Sequence, residues 1–160
     1  VIMRPSIIYG PRDRFMNKMA LWARHLFYVP LVDGGHAQFQ PIYVGDVASA
    51  VLNASMLPNA QGKTFALVGP DAYSFKELWL LLEELTGKSR LKLPVPSSLV
   101  YIKTLFLELW PWPPLTSDHL ELLKGKWVEG NEGLMPLKTL GIDAKRLATQ
   151  WPEHLVCEES

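Results

Sequence analysis

Three charged residues follow an apolar strand and a Gly-Pro turn near the start of the chain. The stretch is Arg4–Phe15, and its charges are Arg12, Asp13 and Arg14. Arginine binds carboxylates and phosphates through paired hydrogen bonds, so this cluster could hold an anionic ligand. Its position after a strand matches the edge where open α/β sheets bind ligands. The alternative is a solvated turn in which Asp13 caps the next helix, and the residues alone favour that interpretation.

Other chemically capable residue types are sparse or badly spaced. The four histidines are far apart in the sequence, and Cys157 is the single cysteine, so neither a metal site nor an internal disulfide is predicted. The sequence has no glycine-rich dinucleotide motif, no P-loop and no G-x-S-x-G nucleophile motif. The residues themselves therefore predict no catalytic group and no metal ligand.

Four further residues allow two interpretations each. Asp46 could contact a ligand, although helix capping alone explains it. Tyr43 could reach a cofactor, although a strand tyrosine is more often a core residue with its hydroxyl at the rim. Trp110 and Trp112 lie in a Pro-rich segment, where they could form a docking surface or pack beneath a loop.

Composition describes an ordinary globular chain without a strong long-range field. Of the 160 residues, 48% are hydrophobic and 20% are charged, with sixteen basic and sixteen acidic side chains. This balance argues against nucleic acid as a partner, and no basic run marks an anionic membrane surface. Because the chain opens with Val1 inside an apolar strand, we expect a fragment whose N-terminal half is missing and whose first strand has an unpaired edge.

The spacing of apolar residues predicts alternating strands and helices, which fits an α/β fold. Asp46 is the predicted N-cap of one helix, Ser74 and Glu77 form the predicted capping box of another, and Gly87 ends the latter. Strands are predicted at 1–8, 28–32, 39–44 and 64–68, and helices at 16–27, 46–56, 74–86, 116–123 and 143–150. Residues 91–96 are predicted to be an extended connector, and the residues after 150 a loose end. The apolar segment 99–110 is too short to span a bilayer.

Arg4–Asp13 and Pro41–Ala50 together resemble the second half of an extended or atypical short-chain dehydrogenase/reductase, of the NAD-dependent epimerase/dehydratase superfamily. The spacing continues through Gly62–Pro70. Within the superfamily, the chain resembles the Rossmann-type accessory subunits of mitochondrial respiratory complex I, nearly throughout but loosely after Lys126. The segments that carry this narrower resemblance are Asp13–Asn17, Gln40–Val44, Phe65–Pro70, Leu93–Pro96, the Trp-Pro segment before Thr116, and Leu137–Ile142.

The resemblance implies the last strands and helices of a Rossmann domain followed by a small, mainly helical C-terminal lobe. Residues 1–58 would be the Rossmann part with inserted lobe elements, and 59–160 the lobe. The dinucleotide glycines and the Tyr-x-x-x-Lys pair of catalytic members would lie upstream. None of the five tyrosines here is followed by lysine four places on, so these residues alone should transfer no hydride.

The resemblance also implies a cofactor, NADP(H) or NAD(H), bound mainly by residues upstream of this chain. The backbone of Pro5, Ser6 and Ile7 would lie against its nicotinamide end. Arg14 and Tyr43 border the substrate position of enzymatic members, and the position of Asp46 is mainly structural. The choice between NADH and NADPH is made elsewhere in such folds, after the second strand.

As partners, the resemblance implies the other subunits of complex I, with the nucleotide held rather than turned over. The lobe would dock through 99–110 and the region of Trp110 and Trp112, peripheral to the matrix side of the mitochondrial inner membrane. Two alternatives stay open: a fragment of a catalytic NAD(P)-dependent epimerase, dehydratase or reductase, which could be cytoplasmic, and a free-standing interaction domain without a cofactor.

Overall fold

The computed structural model describes residues 1–25, 27–96, 98, 126–127 and 134–156. It separates into two compact units, each assembled from distant segments. Unit 1 comprises Val1–Ala20, Phe39–Ala72 and Trp127–Ser160, and unit 2 comprises Leu21–Gln38 and Tyr73–Lys126. The division of the chain after residue 58 rests on the family resemblance rather than on this packing, and it stays a prediction.

Strands and helices alternate along the described chain, with short 3-10 turns at Asp33–Gly35, Pro58–Ala60 and Leu137–Leu140. The elements are β1 (Ile2–Pro5), β2 (Ile8–Tyr9), α1 (Met16–His25), β3 (Tyr28–Val32), β4 (Gln38–Phe39), β5 (Ile42–Tyr43), α2 (Val44–Met56), β6 (Thr64–Leu67), β7 (Tyr73–Ser74), α3 (Phe75–Thr86), β8 (Leu91–Val95), β9 (Lys126–Trp127), β10 (Met135–Pro136) and α4 (Leu147–Val156).

Unit 1 is built on parallel strands. Its main sheet has the order β1-β6-β10, with Met3 and Met135 on either side of Phe65. A second parallel pair joins β2 to β5, with Ile8 opposite Ile42. Parallel strands need crossover connections, which is why helices intervene between the paired segments. The predicted α/β class is therefore confirmed.

The core of unit 1 lies between α2, β6 and the turn after β10. Ala50 and Ala54 are four residues apart on α2, so they share the helix face that packs inward. Small side chains at this spacing let the helix approach the sheet closely. The buried cluster consists of Ile42, Ala50, Ala54, Ala60, Phe65, Leu67, Leu137, Leu140 and Ile142.

Unit 2 combines the parallel pair β3–β8 with α3. The predicted capping box is present: Glu77 N–H donates to the Ser74 hydroxyl at 3.2 Å, and Ser74 N–H donates to the Glu77 carboxylate at 2.6 Å. The helix ends at Gly87, as predicted, with φ +65°. Its buried residues are Phe75, Leu78, Trp79 and Leu82.

The prediction for the opening strand is wrong in two respects. It is two strands, because Pro5 ends β1 and the chain turns before β2 pairs with β5. It is also not buried: the Ile2 side chain is 57% exposed. The predicted unpaired edge is present and explains this exposure, since among the described strands β1 pairs only with β6.

Three other boundaries also differ from the predictions. Helix α1 ends at His25 rather than at 27, because Tyr28 begins β3. The single strand predicted over 39–44 is instead the end of β4 and the whole of β5, with Pro41 between them. Residues 91–95 are not a connector but a strand, paired with β3 over its whole length. Such pairing depends on residues more than 60 positions away, which local composition does not reveal.

Residues 151–156 are more ordered than predicted. Helix α4 begins at Leu147 and continues through Pro152 to Val156, whereas 143–150 was the predicted helix and the rest a loose end. Trp151 is fully buried, so its packing stabilises a segment that its local sequence leaves undecided. The predicted segments 99–110 and 116–123, with Trp110 and Trp112, and Cys157 lie outside the described residues.

Candidate functional site

The turn Pro5-Ser6-Ile7, predicted to contact a cofactor, is fastened on both sides. Ser6 N–H donates to the Leu67 carbonyl oxygen at 3.0 Å, and the Ile7 carbonyl oxygen accepts the Ile42 N–H at 2.9 Å. The turn therefore lies at the carboxyl ends of β1 and β6, where open parallel sheets bind ligands. Because these two backbone groups already make hydrogen bonds within the fold, any contact with a nucleotide would use the other groups of the turn.

A close backbone crossing beside this turn explains why glycine occupies position 69. Gly69 N–H donates to the Gln40 carbonyl at 3.3 Å, and the buried Gln40 amide donates to the Gly69 carbonyl oxygen at 2.7 Å. A Cβ atom on Gly69 would lie 1.9 Å from the Pro41 carbonyl oxygen, so no other residue fits without a backbone shift. The crossing thus determines where residues 40–43 pass the end of β6.

Tyr43 lies on β5 next to Ile42, which places it near the Pro5-Ser6-Ile7 turn. Its ring centroid is 5.7 Å from that of Tyr9, with the planes inclined by 50°. On another side, the Lys145 ammonium lies 5.1 Å from the Tyr43 ring centroid, within the range of a cation–π interaction. Lys145 was not predicted, because no local pattern links residues about a hundred positions apart.

Asp46 does not cap its helix, which corrects the sequence prediction. Helix α2 begins at Val44 after Tyr43, so Asp46 lies inside the first turn, where a carboxylate still favours the helix dipole. Its side chain is only 6% exposed, and it accepts the backbone N–H of Lys145 at 2.8 Å. This contact supports the structural role that the family resemblance implied for the position.

The charge cluster after β2 divides into a structural carboxylate and two exposed guanidiniums. Asp13 accepts the Met16 N–H at the start of α1, so the predicted capping role is confirmed. Burial raises the pKa of Asp13, although N–H bonds from Met16 and neighbouring residues oppose that shift. Arg12 and Arg14 are exposed, and Arg14 makes no ion pair with a described residue. The structure thus pairs Tyr43 with Tyr9, two residues after Ile7, and leaves Arg14 exposed.

The Pro5-Ser6-Ile7 turn is half-buried at Ser6 and Ile7. In the part of the chain that the structure describes, no three His, Cys, Asp or Glu side chains gather as a metal ion would require. Among the same residues, no helix is long and apolar enough to cross a membrane.

Sequence comparison finds relatives among mitochondrial proteins, although no family model matches the chain. NADH dehydrogenase (ubiquinone) 1 alpha subcomplex subunit 9 of Mus musculus is 39% identical over 124 residues, which is 76% of this chain and 32% of the mouse protein. The Arabidopsis thaliana protein of the same name is 36% identical over 98 residues, 59% of this chain and 24% of its own. The chain spans about a third of the length of the mouse relative.

Solved structures share the fold at low sequence identity. A UDP-glucuronic acid 4-epimerase from Bacillus cereus, solved with UDP-glucuronic acid and NAD, superposes with a TM-score of 0.67 at 17% identity, covering 99% of this chain and 45% of the epimerase. A dTDP-glucose 4,6-dehydratase from Bacillus anthracis, solved with NAD, gives 0.63 at 15%, covering 98% and 43%. By sequence the chain is therefore homologous to one segment of the alpha subcomplex subunit 9 proteins of mitochondrial NADH dehydrogenase, and it shares its fold with these two solved structures.

Proposed function

We propose that this protein is a non-catalytic accessory subunit of mitochondrial NADH:ubiquinone oxidoreductase that holds an NAD(P)(H) nucleotide as a structural element. The observation that carries the proposal is the 39% identity to the mouse subunit over 124 residues. Because this chain spans only about a third of that relative, the assembly and the nucleotide belong to the whole protein.

Within that protein, Pro5, Ser6 and Ile7 would lie against the nicotinamide end of the nucleotide. Their support is positional: the hydrogen bonds of Ser6 and Ile7 hold the turn at the carboxyl ends of parallel strands. Tyr43 would line the neighbouring space, with Lys145 beside its ring, and Arg14 would border it from the exposed side. The phosphates would be bound by residues outside this chain.

Under this proposal, the residues of this chain itself supply no catalytic group. A short-chain dehydrogenase of the catalytic kind uses Tyr-x-x-x-Lys, and this chain has no such pair. The Lys145 ammonium lies over the ring of Tyr43, a place suited to packing rather than to proton transfer at the hydroxyl. We therefore assign the chain no catalytic residue.

Assembly would use the C-terminal lobe, residues 59–160, small and mainly helical. The Trp110 and Trp112 region would dock on other subunits of the complex, on the matrix side of the inner membrane. The identity to mitochondrial subunits supports this location.

The test is purification of the tagged full-length protein from its own cells under mild detergent. We expect co-migration with the intact oxidoreductase on a native gel and release of a nicotinamide nucleotide in a near one-to-one ratio after denaturation, detected by mass spectrometry. Trp110→Ala with Trp112→Ala should lower assembly but leave the nucleotide bound. A full-length protein that never migrates with the complex would refute the accessory role.

A second function is favoured by a different observation, the superposition on the UDP-glucuronic acid 4-epimerase. Under this alternative, the whole protein is an NAD(P)-dependent epimerase, dehydratase or reductase. It predicts turnover of a nucleotide sugar, followed by chromatography of the sugar products, and reduction of the bound nucleotide seen by its absorbance. Absence of both signals, with nucleotide retained, would leave the accessory role.

A further inference from the structure

Helix α2 is apolar on both sides, although only one side is buried in the core of unit 1. Ala50 and Ala54 point inward, whereas Leu52 and Met56 are 59% and 64% exposed. A helix that is apolar all round is normally buried all round, so the exposed side of α2 indicates a missing cover. The outer face, as we name this side, comprises Val44, Ala48, Val51, Leu52 and Met56, all of which are exposed.

The outer face carries no charge. No aspartate, glutamate, lysine or arginine occurs from Val47 to Gly62, in a chain of which 20% of the residues are charged. Helix α3 shows the contrast: its exposed Leu80 has the exposed charges Lys76 and Glu84 four residues to either side. Because the cores of protein–protein interfaces are depleted in charge and enriched in methionine, the outer face has the composition of an interface core rather than of a solvated helix.

A groove continues the outer face at the end of α2. It has a volume of about 380 Å³ and is lined by Asn53, Met56, Leu57, Thr139, Leu140 and Gly141. Met56 belongs to both the outer face and the groove. The Asn53 amide donates to the Leu140 carbonyl oxygen at 2.9 Å, which fixes the two walls to each other. The groove is therefore preformed, and it can take an apolar anchor side chain from another molecule.

The backbone around the groove already makes its hydrogen bonds. Leu57 N–H donates to the Asn53 carbonyl oxygen at 3.1 Å, and Gly141 N–H donates to the Lys138 carbonyl oxygen at 2.9 Å. An extended segment lying on this surface would bury N–H and C=O groups without partners, which is costly. A helix satisfies its own backbone groups, so a helix is the element that this surface accommodates.

The outer face lies on the outside of the layers of unit 1. The inward side of α2 shares a buried cluster with Phe65 and Leu67 of β6. In α/β folds the helices cover the sheet, so the opposite side of such a helix faces away from the core. A cover there is an addition to these layers and not part of their core.

We propose that the outer face of α2 and its groove bind an amphipathic helix of a second protein, whose contacting stripe is apolar and uncharged. The apolar residues of that stripe recur at intervals of three and four, and one of them fills the groove. This interaction goes beyond the proposed function, which assigns docking to the region of Trp110 and Trp112. It needs neither those residues nor a nucleotide.

The test is photocrosslinking of the full-length protein in its own cells, with benzoylphenylalanine in place of Leu52 or, separately, of Met56. We expect both positions to crosslink to the same second polypeptide. Mass spectrometry of the crosslinked peptide should show apolar residues spaced by three and four, with no charge on that stripe. The control position is Leu80, an exposed apolar residue on a charged helix face, which should give no crosslink.

A pair of variants measures how much the outer face contributes. Leu52→Ser with Met56→Ser should lower the fraction of the crosslinked polypeptide that co-purifies about tenfold, because two exposed apolar anchors are removed. Leu80→Ser should leave that fraction unchanged.

The proposal would be overturned by crosslinks to lipid, to another segment of the same chain or to a second copy. A charged contacting peptide, no crosslink at either position, or an equal loss for Leu80→Ser would also overturn it. None of these readouts requires co-migration with the oxidoreductase, so a failure here would leave the proposed function standing.

Discussion

The buried carboxylate of Asp46 accepts the backbone N–H of Lys145, a residue 99 positions further along the chain, at 2.8 Å. The contact fastens the segment before α4 to the first turn of α2. The Lys145 side chain then reaches the ring of Tyr43 at 5.1 Å. One carboxylate therefore positions both a chain segment and the cation beside a predicted site residue.

Replacing Asp46 should cost more stability than replacing Lys145. Asp46→Ala leaves the Lys145 N–H without its charged acceptor, and we expect the free energy of unfolding to fall by about 2 kcal/mol. Asp46→Asn keeps an acceptor oxygen and should cost less. Lys145→Ala keeps the backbone contact and loses only the cation–π interaction, about 0.5–1 kcal/mol. Urea unfolding at neutral pH measures all three, and equal losses for Asp46→Ala and Lys145→Ala would contradict the assignment.

Gly69→Ala should be among the most damaging single-methyl additions in unit 1. Its Cβ would lie 1.9 Å from the Pro41 carbonyl oxygen, and backbone atoms cannot rotate away. We expect a loss of about 3 kcal/mol in unfolding free energy, at the upper end of overpacking effects. Gly62→Ala is the control: its φ is +73° but no atom lies within 4 Å, so only the cost of the left-handed backbone, about 1 kcal/mol, applies. Similar urea unfolding midpoints for the two variants would contradict the prediction, because they would show that the backbone at Gly69 and Pro41 shifts to accommodate the methyl group.

Asp13 should make stability decrease as pH rises through its raised pKa. Burial favours the protonated carboxyl in the folded state, so its contribution to stability is fully present below the unfolded pKa, about 3.9, and is lost as pH rises through the folded pKa. Asp13→Asn keeps an acceptor for the Met16 N–H and removes this titration. The unfolding free energy of the original protein minus that of Asp13→Asn should therefore fall with rising pH. A difference that rises over that range would be incompatible with the buried carboxyl.

Glu83 should show the opposite pH dependence. Burial penalises its charged form, but hydrogen bonds from the Lys92 ammonium and the Arg90 N–H outweigh that penalty, so the pKa of Glu83 is lowered. Its stabilising effect is present above the unfolded pKa, about 4.3, and is lost as pH falls through the folded pKa. Glu83→Gln should remove this acid-range dependence.

The Glu83–Lys92 pair should also show strong coupling at neutral pH. Both side chains are largely buried and their charged atoms are 2.6 Å apart. Glu83→Ala leaves the Lys92 ammonium without its partner and should lower the free energy of unfolding by about 3 kcal/mol. Glu83→Ala combined with Lys92→Met should lower it by less. A double-mutant cycle by urea unfolding gives the coupling energy. Additive losses would show that the two side chains act independently.

The interactions predicted correctly from the sequence are short-range ones. The Ser74–Glu77 capping box, the capping by Asp13 and the helix end at Gly87 each involve residues a few positions apart. Such contacts form whatever the rest of the chain does, so residue type and spacing suffice. The predicted alternation of strands and helices also follows from local residue patterns.

The errors share the opposite property. The sequence pattern predicts that Asp46 caps its helix, because it does not reveal the actual partner, Lys145, which is 99 positions away. It predicts a connector at β8, because it does not reveal the pairing with β3, which lies more than 60 positions upstream. The solvent exposure of Ile2, which was predicted to be buried, depends on which strands flank β1 in the sheet.

The sequence by itself thus determined the class of fold, the capping by Asp13 and Ser74, and the helix end at Gly87. Only the tertiary structure decided that the Asp46 carboxylate binds the Lys145 amide and that β3 pairs with β8, more than 60 positions further along the chain. The physical reason is that a hydrogen bond or a strand pair between distant segments depends on the closure of the intervening chain, which local residue types do not encode.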